Sequence, residues 1–217
     1  MPLLKICGLR LPDQAAAVAA LGVDAIGVIA VKASPRFLAA ELRPALFEAV
    51  ATTRPQCRRV VVVVDPSPEQ VEEILSARGH QVVQLHGGES VAFCTALRRQ
   101  WDGEIWKALR IRTPADLALA SSYGDVVDGL LLDAWQPDQL GGTGQRLPLD
   151  WLAEFSPKPP WWLAGGITPE RVSTVLSQVN PTGLDASSGV EVSPGDKDLQ
   201  RVADLVAAVR QGPSPLR

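Results

Sequence analysis

Two side chains able to exchange a proton with a bound molecule end two apolar runs of this 217-residue sequence. One is the thiol of Cys7, closing Leu3–Cys7 (LLKIC). The other is the carboxylate of Asp133, closing Gly129–Asp133 (GLLLD). A thiol and a carboxylate across one opening suit proton transfer, one accepting and the other donating. Each also has an ordinary use, Cys7 as a small buried hydrophobe and Asp133 as a cap on the following loop. A nucleophile triad or a metal centre fits poorly. His80 and His86 are the only histidines, and no HxH or CxxC spacing occurs.

The stretch Gly183–Asp198, GLDASSGVEVSPGDKD, adds a second kind of chemistry. Leu184–Ser187 alternates apolar and polar as a short strand does, and Ser188-Gly189 then leaves backbone N–H groups uncovered ahead of a helical segment. Such a turn is a nest for a phosphate group. It is equally an ordinary strand-to-helix turn with Gly189 at positive φ. A second turn, Gly165-Gly166-Ile167-Thr168, runs into a helix start at Pro169, and two such turns coincide by accident less readily than one. Gly141–Gly144, GGTG, is placed to close the same site from the side, which makes Gly142 and Gly144 substrate-contact candidates. Arg36, after Ser34-Pro35, either pairs bidentately with a substrate carboxylate or is a solvated surface side chain.

Positioning these groups requires a frame, and the apolar pattern supplies one. Strands are expected at Leu3–Cys7, Asp24–Ile29, Val60–Val64, Val82–Leu85, Ile105–Leu109, Gly129–Asp133, Trp161–Ala164 and Leu184–Ser187. Each precedes a helical segment: Pro12–Leu21, Ala39–Val50, Pro68–Arg78, Glu89–Gln100, Pro114–Ala120, Asp150–Glu154, Pro169–Gln178 and Leu199–Arg210. Eight β/α repeats with no linker predict a single (β/α)8 TIM barrel over residues 1–210, with a frayed tail at 211–217. No glycine fingerprint of a doubly wound sheet follows the first strand. Catalytic groups of a barrel sit at the C-terminal ends of its strands. That selects Cys7, Arg36, Asp65, His86, Lys107, Arg110, Asp133, Gly165-Gly166 and Ser187-Ser188, with Asp185 inside the last strand.

Composition narrows the class of partner. A net charge of −3 leaves no basic footprint for nucleic acid, and 46% apolar with 21% charged residues describes a folded globular chain. Three cysteines at unrelated spacings form neither a disulfide framework nor a zinc signature, which predicts a reducing, cytoplasmic setting. The apolar Ala15–Val31 reads as a helix and a buried strand rather than a membrane span, and no signal peptide is visible.

Seven segments, in order, resemble the phosphoribosylanthranilate isomerase family: KICGL (Lys5–Leu9), KASPR (Lys32–Arg36), QLHGGE (Gln84–Glu89), LLLDA (Leu130–Ala134), GGTG (Gly141–Gly144), LAGGITPERV (Leu163–Val172) and LDASSGVEVSPGDKD (Leu184–Asp198). The resemblance implies an Amadori rearrangement of phosphoribosylanthranilate in tryptophan biosynthesis, without cofactor or metal. By resemblance, Cys7 is the general base and Asp133 the general acid. Arg36 and His86, with Gly142 and Gly144, contact the substrate. Gly165, Gly166, Asp185, Ser187, Ser188 and Gly189 form the phosphate site. Lys5, on the strand face of Cys7, is an electrostatic helper. The chain departs from the family in the aliphatic Val28–Val31, in Arg171 where asparagine is common, and in a longer run into Asp150-Trp151. Trp135 is either a wall for the anthranilate ring or a packing residue.

Three rivals stay in view: an indoleglycerol-phosphate synthase, for which Lys107 is the one plausible lysine, a metal-dependent epimerase, and a barrel that binds a phosphometabolite without turning it over. The expected partner is a small molecule, with no nucleic acid and no membrane. The Trp161-Trp162 pair, core or interface, leaves monomer and homodimer open.

Overall fold

The eight apolar runs become the staves of a closed parallel barrel in which each strand pairs with its neighbour in sequence and β8 returns to β1. The structure, a computed structural model, describes residues 1–76, 78–134 and 147–212. The strands are β1 Leu3–Cys7, β2 Ala25–Ile29, β3 Arg58–Val63, β4 Val82–Leu85, β5 Glu104–Ile111, β6 Gly129–Ala134, β7 Trp161–Leu163 and β8 Gly183–Ala186. The helices are α1 Pro12–Ala20, α2 Arg43–Thr53, α3 Pro68–Leu75, α4 Val91–Arg98, α5 Leu119–Tyr123, α6 Val172–Gln178 and α7 Leu199–Gln211.

Local chemistry sets the helix starts. Pro12, Pro44 and Pro68 occupy first-turn positions, where the missing N–H costs no hydrogen bond. Ser67 and Gln70 form a reciprocal capping box on α3, and Asp198 accepts from Gln200 N and Arg201 N at the start of α7. Several helices are shorter than the apolar periodicity suggests. Pro114–Ala118 and Leu149–Leu152 are 3₁₀ turns, Pro169 precedes α6 by three residues, and α7 runs one residue past Arg210. Tight i→i+3 turns suffice there because sheet packing, more than propensity, holds the segments.

One element lies outside the expected set, between the Ser188-Gly189 turn and α7. A 3₁₀ turn over Ser188–Val190 leads into an antiparallel hairpin, β9 Glu191–Ser193 with β10 Asp196–Lys197. Pro194-Gly195 carries the signal, since Pro then Gly is the central pair of a tight turn and Gly195 has φ 85°.

Alternation along the strands splits the apolar residues between two cores. Outward-facing residues pack under the helices. Inward-facing ones, among them Ala25, Val60, Val62, Val82, Trp106, Leu131 and Trp162, fill the barrel. Trp106 and Trp162 lie with ring centroids 4.7 Å apart across the interior. Trp161, the residue before Trp162, points outward and meets Phe155 edge-on at 5.2 Å. Both members of the pair are therefore core. The two rings fit because Gly183 carries no side chain; a Cβ there would overlap the Trp162 ring. Among the described residues no helix is long and apolar enough to cross a membrane, and Ala15–Val31 divides into α1 and β2 as expected.

Two stability predictions follow from this packing. Gly183→Ala drives a methyl into a ring already stacked on another, so its urea midpoint should fall by about 1–3 kcal/mol equivalent, the usual cost of overpacking. His80 is buried, stacks on Trp101 at 5.0 Å and donates from Nε2 to the Ile74 carbonyl at 3.1 Å. Burial pushes it down to about 4. Because the folded value lies below the unfolded one, the unfolded chain binds the extra proton. His80's contribution is therefore complete above about pH 6.5 and is lost as pH falls toward 4. The urea midpoint should drop across that window, and less in His80→Gln.

Candidate active site

The C-terminal mouth of the barrel gathers most of the expected residues. Cys7 ends β1 and faces inward, with Lys5 two residues below it, fully buried. Lys5 Nζ donates to Asp185 Oδ2 at 2.9 Å, joining β1 to β8 across the seam where the barrel closes. Gly27 of β2 leaves room for both side chains, since a Cβ there would stand 2.8 Å from Cys7 Sγ and 3.1 Å from Lys5 Cε. Burial alone would neutralise Lys5. The Asp185 carboxylate and the Cys7 sulfur outweigh that and hold the ammonium above its ordinary value. Burial likewise pushes the Cys7 thiol up, Lys5 works against the rise, and Asp185 adds to it. Cys57 and Cys94 are pushed up to about 12 and about 11 by burial, the latter in spite of the buried Lys107 within Coulombic reach.

Asp185 corrects one expectation. It is not placed as a phosphate ligand: its carboxylate points into the interior at Lys5, and an anion in that position repels a phosphate. Burial pushes its acidity toward the protonated form, with Lys5 opposing.

Asp133, 8% exposed, lies at the inner mouth of β6. His86 Nε2 is 3.4 Å from Asp133 Oδ2, and His86 Nδ1 is 2.9 Å from Gln84 Nε2 on the inward face of β4. Arg110 of β5 stands in register with Asp133, half-buried, and its side chain has no partner among the described residues. Lys107 and Asp65 leave the list of chemical candidates. Lys107 has the opposite strand parity to Ala108 and is fixed by Glu89 at 2.9 Å and the Gly87 carbonyl at 2.8 Å, outside the barrel interior. It cannot serve as a synthase lysine at the mouth. Asp65 ties the β3 and β4 loops together: its N–H donates to Glu89 at 2.8 Å, and its carboxylate accepts from Gly88 N at 2.7 Å.

The β7 and β8 loops abut. Gly189 packs so closely under the Ile167 carbonyl that any side chain would collide with that oxygen. Arg171 Nη1 donates to the carbonyls of Gly165 and Gly166 at 2.9 and 3.0 Å, pinning their oxygens to one side. Among the described residues, the backbone N–H groups of Gly165, Gly166, Ser187 and Ser188 are taken up by no protein acceptor. The Ser187 hydroxyl is committed to the Cys7 carbonyl at 3.0 Å, so it is the backbone of this turn that is free to bind an anion.

Arg36, 7% exposed, is not a solvated surface residue. Its Nε and Nη2 grip Glu191 of β9 at 2.7–3.1 Å, and Glu191 also takes Lys197 Nζ at 2.6 Å. Burial favours the neutral acid of Glu191, but Arg36 and Lys197 together hold it below the ordinary carboxylate range. Two cations on one carboxylate leave the cluster at net +1. Glu191 and Lys197 went unnoticed as charged partners in the sequence because no element was assigned to 191–197 and nothing local places them beside Arg36. Gly142, Gly144 and Trp135 lie outside the described residues. Among the described residues, no group of three or more His, Cys, Asp and Glu side chains converges as metal ligands would.

Comparison with known proteins agrees with this fold. The family model for N-(5'phosphoribosyl)anthranilate (PRA) isomerase matches residues 4–208. N-(5'-phosphoribosyl)anthranilate isomerase of Synechococcus elongatus is 49% identical over 207 residues, covering 95% of each chain. That of Thermosynechococcus vestitus is 45% identical, covering 94% of this chain and 88% of its own. The crystal structure of the Thermus thermophilus enzyme superposes with TM-score 0.83 at 33% identity, covering 96% and 98%. That of the Thermotoga maritima enzyme gives 0.86 at 27%, covering 97% and 100%. With barrel, mouth and motifs all inside the matched span, the chain belongs to the phosphoribosylanthranilate isomerase family.

Proposed function

We propose that Cys7 and Asp133 are the general base and general acid of a cofactor-free Amadori rearrangement. It converts N-(5'-phosphoribosyl)anthranilate to 1-(2-carboxyphenylamino)-1-deoxyribulose 5-phosphate in L-tryptophan biosynthesis. A related phosphoribosyl anthranilate isomerase has been solved with reduced 1-(o-carboxyphenylamino)-1-deoxyribulose 5-phosphate, which supports the same substrate class here. The observation that carries the assignment is the placement of both groups at the inner mouth, beside the open backbone turn of β7 and β8.

Asp133 gives its proton to the furanose ring oxygen. The C1–O bond breaks as the anilino nitrogen lone pair forms a C1=N iminium. Cys7, as thiolate, removes the C2 proton, and those electrons form the C1=C2 bond of an enolamine. Protonation at C1 and loss of the C2 hydroxyl proton give the ketone. The proton gained by Cys7 and the one lost by Asp133 balance through solvent, so no redox partner is needed. The Gly165, Gly166, Ser187 and Ser188 N–H groups hold the phosphate, with Gly189 shaping the turn. Arg36, in a cluster with one positive charge in excess, attracts the anthranilate carboxylate. Gly142 and Gly144, outside the described residues, are kept as substrate contacts on the family resemblance of the GGTG motif alone.

The chain would act as a monomer or homodimer; the Thermotoga maritima relative is described as dimeric. Cys7, Cys57 and Cys94 are all free thiols, which supports a cytoplasmic setting.

Turnover is read as loss of anthranilate-type fluorescence on freshly generated substrate. Cys7→Ala and Asp133→Asn should each lower kcat at least ~100-fold, the scale of a lost acid or base, while the protein stays folded. Near-normal turnover by either variant would remove that residue's role. Binding without turnover by the unaltered protein would make it a binding barrel. Lys5→Met/Asp185→Asn removes the buried pair without leaving a lone charge. Loss of Asp185 relieves the thiol and loss of Lys5 hinders it, but Lys5 is the larger influence, so the thiol ionises at higher pH and the acidic limb of kcat/KM should move upward. An unmoved limb would take Lys5 out of the mechanism.

A further inference from the structure

The inward faces of β4 and β8 and the residue just past β4 carry three buried polar atoms with no hydrogen-bond partner among the described residues: Gln84 Oε1, Asp185 Oδ1 and His86 Nε2. Gln84 is fully buried. A fully buried amide costs free energy unless it is held to a partner, and its one side-chain partner among the described residues is His86. The acid–base scheme leaves both residues without a task. Their arrangement supplies one. Gln84 Nε2 stands 2.9 Å from His86 Nδ1, and an amide N–H pointing at Nδ1 obliges that nitrogen to accept. The neutral ring then carries its proton on Nε2, which faces Asp133 Oδ2 at 3.4 Å. That separation is long for a hydrogen bond, as active-site contacts often are before substrate tightens them.

We propose that Gln84 and His86 are positioning residues for the acid: Gln84 fixes the Nε2–H tautomer of His86, and that N–H orients Asp133 and holds the carboxylate left when its proton departs. The proposal rests on the reading of Asp133 as general acid. It replaces direct substrate contact as the expected role of His86. The chain amide–imidazole–carboxyl has the logic of a catalytic group oriented by a second residue that is itself oriented by a third. The charge on Asp133 has other neighbours. Asp185 of β8, within Coulombic reach, opposes it. Arg110, in register on β5, favours it. Lys5 and Cys7 of β1 lie beyond Asp185.

The test combines kinetics with a spectroscopic readout. His86→Leu removes the donor and should lower kcat roughly 10- to 100-fold, the range for a hydrogen bond to a charged group. The loss should fall on kcat with KM nearly unchanged, since the groups placed on the substrate are untouched. His86→Gln returns an N–H near the same position. It should recover activity to within a few-fold of the unaltered protein. With only two histidines in the chain, 1H–15N spectra of the ring nitrogens resolve the tautomer directly. His86 should show Nε2–H, and Gln84→Leu should mix the two forms. A His86→Leu protein that folds and keeps its kcat, or whose loss falls on KM instead, overturns the proposal. So does an Nδ1–H tautomer. If Asp133→Asn is inactive in the same assay, only the positioning role has failed. If Asp133→Asn turns over normally, the acid assignment itself falls and this proposal with it.

Discussion

The ion pair between Lys5 and Asp185 is the constraint around which the mouth of this barrel is arranged. It bridges the first and last strands at the seam, with the ammonium entirely shielded from water. A buried pair of this kind is weak evidence for stability, because well-packed apolar residues would serve as well. Removing one partner alone costs about 3–5 kcal/mol. Its position is more informative than its strength. Lys5 lies directly under the Cys7 thiol, in space that Gly27 leaves open, and opposes the burial that would keep the thiol protonated. Asp185 in turn keeps Lys5 charged. The thiol cannot be understood apart from that pair.

Polarity inside the barrel is layered as a consequence. One end is closed by the Trp106–Trp162 pair and the surrounding small and aliphatic residues. Above it come Lys5, Asp185 and Gln84, then Cys7, Asp133 and His86 at the opening. An apolar base excludes water from below, so charges in the middle layer act on one another in a poorly screened medium. The substrate would meet only the top layer, whose properties are set by the one beneath.

A second charge cluster governs the rim. The hairpin β9–β10 brings Glu191 and Lys197 over the barrel to engage Arg36 from the loop after β2. This draws the last strand unit toward the second and fixes the planar orientation of the guanidinium. An arginine already held in place loses less side-chain entropy when an anion arrives, which is the physical advantage of such a clamp. The Gly189–Ile167 approach does the equivalent for the phosphate turn, joining two loops through backbone contact.

The β/α alternation, the residues at the strand mouths and the Cys7, Asp133 and glycine-turn positions were all legible in the sequence. They depend on local rules: period-two alternation, helix starts at proline and serine, and turns at glycine. Where the reading fell short, at 191–197, a Pro-Gly turn signal was present and no element was assigned to it. The partnerships were decided by tertiary structure. Lys5 meets Asp185 across 180 residues, Arg36 meets Glu191 across 155, and His86 meets Asp133 from another strand. Periodicity tells which way a side chain points but not what it meets, because that depends on strand register and on closure bringing β8 against β1. Hence Asp185, in a phosphate-site motif by sequence, became the counter-ion of a buried lysine.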